Sequence, residues 1–297
     1  MTMRLSSIFL WTALFLAIPV GITRNLAGTG ALLAAYAVFV ALAAAAVWRI
    51  GVAKTEGGVA REHPTFLPGV LLVSGPLALM LGASVTGEPT AARPGDYLLN
   101  TSAILVGSVI LISGFVVLAV RLWEKGQRLL PAIGISALLV GSAVWLANLV
   151  FRYAIVAAGA TGAQARVEDR AWVANEYLRE LPGEPSWMEF LLVWTDMLQL
   201  AFVLLAYLTA AALGTALVRA RYIGTSGGGA FVALNLVLAT TVVTSIVLAG
   251  AGSVVGAWAA FVVTIPFMAF VLPYLLGVAL IRAGAGNSLA RASSRTT

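Results

Sequence analysis

The sequence predicts an all-α, polytopic membrane bundle of about eight spans, and three observations point to it. Of 297 residues, 61% are hydrophobic and only 10% charged, against about 25% charged in soluble proteins. Several apolar runs exceed the roughly 18–20 residues that a helix needs to cross a hydrocarbon core of about 30 Å. The basic residues cluster in every second connection between those runs.

The spans follow in order. Ile8–Ile22 comes after Arg4. A signal peptide starts the same way, but no small-x-small cleavage site follows, so an uncleaved anchor is expected. Gly30–Ile50 closes on Trp48 and Arg49, an interfacial aromatic beside a cation. Phe66–Val85 carries Pro68, Pro76, Gly69, Gly75 and Gly82, the composition of a bent, closely packed helix. The Pro- and Gly-rich stretch Thr86–Asp96 reads as a loop. Leu99–Val120 holds Gly107, Ser108, Ser113 and Gly114, small residues that let membrane helices approach closely.

Leu129–Ala158 is the fifth span and Met188–Val218 the sixth. Between them, Val167, Ala171, Ala174, Leu178 and Leu181 recur at a helical spacing, with charges on the other faces. Residues 161–187 are therefore expected to hold an amphipathic helix on the outer surface. Gly229–Gly250 is the seventh span, with Thr240, Thr241, Thr244 and Ser245. Val254–Ile281 is the eighth. It holds Pro266 and Pro273, seven residues apart and so on one face, as candidate hinge or cavity residues. Residues 1–283 form one transmembrane domain in this reading, and residues 284–297 a disordered basic tail near anionic lipid.

The N-terminus, the second, fourth and sixth connections and the tail together hold 12 of the 18 basic residues. The positive-inside rule then places both termini in the cytoplasm. Arginine outnumbers lysine 16 to 2 and alanine is abundant. That bias suits a high-GC bacterial genome and hence a bacterial plasma membrane. The positive charge belongs to this topology, and no nucleic-acid partner is expected.

Two charges lie deep in apolar sequence: Arg152 in the fifth span and Asp196 in the sixth. In an antiparallel pair they fall at similar depth, in the outer half of the membrane. A charge at the centre of a membrane helix costs about 2.5–3.5 kcal/mol on insertion scales, so each calls for a partner or a role. Gly141, Trp145, Asn148 and Arg152 share one helix face, and Asp196 shares a face with Gln199. Trp194 is close by. The candidate binding site is thus Asp196, Arg152, Asn148, Gln199, Trp145 and Trp194. It suits a small polar or zwitterionic solute, with Asp196 able to take up a proton. A plain structural ion pair between Arg152 and Asp196 is the competing reading.

Absences narrow the chemistry. There is no cysteine, and His63 is the only histidine, in a loop where solvation is the default. Zinc sites of the usual kind, paired haem ligands and a serine–histidine dyad are excluded. The two lysines, Lys54 and Lys125, lie in connections, so no intramembrane Schiff base forms. No phosphate-binding glycine loop with its lysine occurs. No cofactor, metal or catalytic residue is expected. Three function classes survive: a small-solute transporter or permease-like protein, a non-catalytic membrane subunit or sensor acting through a protein partner or another copy, and a metal-free enzyme on a lipid-soluble substrate.

Overall fold

The structure is a computed structural model. It describes residues 5–13, 29–52, 54–55, 58–85, 94–162, 186–250, 255–256, 259, 263 and 271–293. The chain is a helical membrane bundle. Helix α1 covers residues 5–13. It is followed by α2 (Thr29–Gly51), α3 (Phe66–Val85), α4 (Pro94–Glu124), α5 (Leu129–Gly162), α6 (Ser186–Arg219), α7 (Thr225–Gly250) and α8 (Leu272–Ser293). Between α2 and α3 a minimal antiparallel ladder pairs β1 (Lys54–Thr55) with β2 (Gly58–Val59), and a 3-10 turn, Ala60–Glu62, follows.

Among the described residues, five helices are long and apolar enough to cross a membrane: stretches of α2, α4, α5, α6 and α7. Phe66–Met80 of α3 and Leu272–Gly284 of α8 are shorter apolar stretches. The expected spans and the observed helices coincide within a few residues at most ends. One difference is that α4 begins at Pro94, inside the expected loop. Proline suits a first helical turn because its missing N–H has no partner to lose there. Another is that α8 runs on to Ser293 and so enters the stretch read as a tail. Most of the expected surface helix and Pro266 lie outside the described residues.

Helix α8 is the organising element. Tyr274, Val278 and Ile281 belong to a core cluster shared with α1, α2 and α3. Leu276 and Leu280 belong to a second, with α3, α4, α5 and α6. Leu272 belongs to a third, with α6 and α7. A helix that is apolar all round buries every face, and α8 is buried at most positions from Leu272 to Gly284. Pro273 is buried.

Buried tyrosines tie the helices together across apolar interfaces. Tyr36 donates to the carbonyl of Leu77 (3.0 Å), Tyr274 to that of Leu10 (2.8 Å) and Tyr207 to that of Val263. Thr65 donates to the carbonyl of Leu280 (2.9 Å). Each hydroxyl would otherwise be unsatisfied in an apolar surrounding. Tyr274→Phe is expected to cost about 1 kcal/mol, the scale of an interhelical hydrogen bond in a membrane. Tyr274→Ala is expected to cost about 3–5 kcal/mol, because it also opens a cavity. Unfolding midpoints in detergent check the ranking, and equal losses would refute it.

Two helix ends use the same stop. At the end of α4, Gln127 N–H bonds the carbonyl of Leu122 and Gly126 N–H that of Trp123, with Gly126 at φ 83°. At the end of α6, Tyr222 N–H bonds Leu217 and Arg221 N–H bonds Val218, with Arg221 at φ 58°. Both are Schellman closures, which need one left-handed residue. Glycine supplies it without strain in the first, whereas arginine bears a steric cost in the second.

Candidate functional site

The polar face of α5 meets α6. Helices α5 and α6 form one of the most extensive contacts in the bundle, and the small residues of α5 set their register. Thr209 donates to the carbonyl of Gly134 (3.1 Å). A Cβ at Gly141 would lie 3.1 Å from Leu205 and 3.5 Å from Phe202. The Trp145 ring stacks on Phe202, with centroids 5.2 Å apart and planes at 17°. Along the same helices, Asn148 follows Trp145 by about one turn of α5, and Gln199 precedes Phe202 by about one turn of α6. The side chains of Arg152, Trp194 and Asp196 lie outside the described residues.

Trp145 sits at the junction of α4, α5 and α6: its indole N–H donates to Ser108 Oγ of α4 at 2.9 Å, while its ring lies on Phe202. This explains a tryptophan away from the membrane interface, since the buried N–H has its partner. Asn148 is 1% exposed and engaged within the structure. Gln199 is half-buried. Ser142, about one turn before Trp145 in α5, has a buried hydroxyl with no hydrogen-bond partner. Trp145 thus lies in the seam between α5 and α6, with Asn148 about one turn from it on α5 and Gln199 about one turn from Phe202 on α6.

The sequence reading missed Ser108, Ser142 and Phe202. Ser108 was grouped with Gly107 as a packing residue, and its pairing depends on α4 reaching α5. Ser142 follows Gly141 and carried no separate signal. Among the described residues no group of three His, Asp or Glu side chains could hold a metal ion.

A second polar cluster lies where the connections meet. His63 was expected to be solvated, yet it is half-buried. Its Nδ1 lies 2.8 Å from Thr65 Oγ1, and its ring meets Tyr222 edge-on with centroids 5.8 Å apart. Lys125 Nζ lies 5.8 Å from the centroid of the same Tyr222 ring. A Cβ at Gly284 would lie 3.1 Å from His63 Cβ. The α2–α3, α4–α5 and α6–α7 connections and α8 therefore converge at one end of the bundle. Arg49, Arg121 and Arg219 lie in the last turns of their helices there, and Arg282 lies two residues from Gly284 in α8. This cluster pins the loops together and gives the bundle a basic end.

The Tyr222 hydroxyl is buried without a hydrogen-bond partner. Burial, reinforced by the Glu124 charge and opposed by Arg121, raises its pKa above the usual tyrosine value. A raised folded-state pKa leaves its contribution intact below pH about 10 and removes it as pH rises through the folded-state value. Tyr222→Phe is expected to raise stability at neutral pH, because it deletes an unsatisfied buried group. The variant is also expected to lose less stability than the parent above pH about 10. Parallel thermal melts across pH 7–11 check both, and identical curves would exclude them.

Compared with known protein families, with characterised proteins and with solved structures, the chain matches none.

Proposed function

We propose that this membrane protein is a small-solute transporter of the permease type, with its solute site between α5 and α6 in the outer half of the bundle. In this reading the basic end faces the cytoplasm of a bacterial cell, both termini lie on that side, and eight spans cross the plasma membrane. Asn148 and Gln199 contact the solute, and Trp145 holds the floor of the site against α4. Arg152 and Asp196 supply opposite charges for a polar or zwitterionic ligand, and Trp194 offers an apolar wall. Pro266 and Pro273 give the eighth span a point of flexure.

The observation that carries this reading is the α4–α5–α6 junction. Polar groups in a membrane interior usually face a cavity, a ligand or each other. Here a buried asparagine and an unpaired serine hydroxyl lie within about two turns of one another on α5, and a half-buried glutamine stands about one turn from Phe202 on the facing helix. An unsatisfied buried hydroxyl is a usual lodging place for an ordered water. The site as described is closed, since Asn148 is buried, so access requires α5 and α6 to part at their outer ends.

The natural absence of cysteine makes the test clean. Single cysteines at Asn148 and Gln199 are expected to react with a membrane-impermeant maleimide from the outer side of sealed vesicles. Those rates are expected to change when the transported solute is added. If neither cysteine reacts while one placed at an exposed connection reacts fully, a solute path between these helices is excluded.

A further inference from the structure

We infer that the groove between α2 and α3 is a binding site for one anionic phospholipid, with an acyl chain along the helices and the headgroup phosphate on Arg61. Helix α2 touches α3 over a small part of its length, whereas α3 is closely packed on α4 and α8. The gap left on the α2 side is a cavity of about 540 Å³. That lies in the usual range for a small-molecule site, about 300–1,000 Å³.

Its chemistry is two-sided. Val40, Val47, Phe66, Val70 and Leu77 give it a lining that is apolar almost throughout. A water-filled groove of this kind is unfavourable, and within the membrane the apolar material at hand is acyl chain. Arg61, in the 3-10 turn before α3, lines the same groove. Its side chain is exposed and makes no hydrogen bond or ion pair among the described residues. Trp48 lines the groove and is 66% exposed. A tryptophan at a helix end, one residue from Arg49, marks headgroup depth.

The groove therefore has an apolar body, an aromatic at headgroup level and a free guanidinium at one end. A guanidinium matches a phosphate by a forked pair of charged hydrogen bonds. Basic pockets between membrane helices bind anionic headgroups by this means. A zwitterionic lipid fills the apolar body equally well, but the ammonium of its own headgroup already balances its phosphate, so Arg61 holds it less strongly. The site is separate from the α5–α6 seam, so this inference stands or falls independently of the transport reading.

The test uses the full chain in a neutral detergent, titrated with dioleoyl phosphatidylglycerol or dioleoyl phosphatidylcholine and read by native mass spectrometry. The parent is expected to retain one phosphatidylglycerol more tightly than phosphatidylcholine. Arg61→Gln is expected to weaken phosphatidylglycerol about fivefold, equivalent to about 1 kcal/mol, and to weaken phosphatidylcholine by clearly less. Ser74→Trp, which fills the groove, is expected to weaken both lipids. Arg219→Gln, an exposed cation at the same end but outside the groove, is expected to change neither, and melting temperatures confirm that all three variants fold.

Equal retention of the two lipids by the parent overturns the proposal. So does an Arg61→Gln effect no larger than that of Arg219→Gln, which would show only nonspecific attraction to a basic surface. Unchanged binding in a folded Ser74→Trp excludes the groove as the acyl site. A parent dimer that Ser74→Trp dissociates would give the groove to a second copy and also overturns it.

Discussion

Asp196→Asn is expected to abolish solute-induced stabilisation and to cost about 3–5 kcal/mol of folding stability if the proposed site holds, because Arg152 then lies in the membrane without the counter-charge that the proposal gives it. Arg152→Gln is expected to cost a similar amount. The double change Arg152→Gln/Asp196→Asn removes both charges, and the destabilisation is expected to fall well below the sum of the two. The readout is the melting temperature in detergent, with and without a panel of polar metabolites. A ligand at about one hundred times its dissociation constant stabilises the folded state by about 2.7 kcal/mol. The double variant separates the two readings of the charges. A solute site predicts recovered folding with no response to the ligand. A purely structural pair predicts recovery of folding and of the ligand response together, and that outcome would refute the proposed site.

Gly277→Ala is expected to be among the most damaging single-methyl changes in the protein. A Cβ at Gly277 would stand 2.8 Å from the carbonyl oxygen of Gly69, 2.9 Å from the nitrogen of Val73 and 3.0 Å from the carbonyl carbon of Leu72. All three are backbone atoms of α3, so no rotamer change relieves the clash and the helices must separate. Overpacking of this kind costs about 1–3 kcal/mol. The upper end is expected, because α8 contributes to all three core clusters. Gly69→Ala meets the same crossing from the other side, with the carbonyl oxygen of Gly277 at 2.8 Å. Gly51→Ala is expected to do less harm: the 2.6 Å contact there is the tip of the Phe66 ring, which can move. Gly229→Ala is expected to gain about 0.5–1 kcal/mol, since a Cβ there meets nothing within 4 Å and alanine favours the helix. Unfolding midpoints of the four variants test the order, and a flat series would show that the α3–α8 crossing is not as close as the structure has it.

The same contrast shows what the sequence carried about the site. Trp145 and Asn148 were legible because four polar or aromatic residues repeat on one face of an apolar helix. The expectation that Gln199 stands beside them rests on consecutive spans running antiparallel. Ser108 and Phe202 were not legible, because each acts on Trp145 from a different helix. His63 was misjudged for a related reason. Its loop position is plain in the sequence, but its burial comes from Tyr222 and Gly284, 159 and 221 positions away in the chain.

By itself the sequence determined the membrane setting, the helical class and the approximate extent of the spans. Each of those follows from local hydropathy, because a backbone in hydrocarbon must satisfy its own hydrogen bonds and a helix does so within one segment. Tertiary structure alone decided which of 30 glycines lie at a helix crossing and that α8 sits at the centre of the bundle. It also decided that α2 stands off α3 to leave a groove. Lipid is as apolar as leucine, so hydropathy cannot tell a buried helix face from a lipid-facing one. That choice rests on van der Waals fit and on a few interhelical hydrogen bonds, which exist only once distant helices are in place.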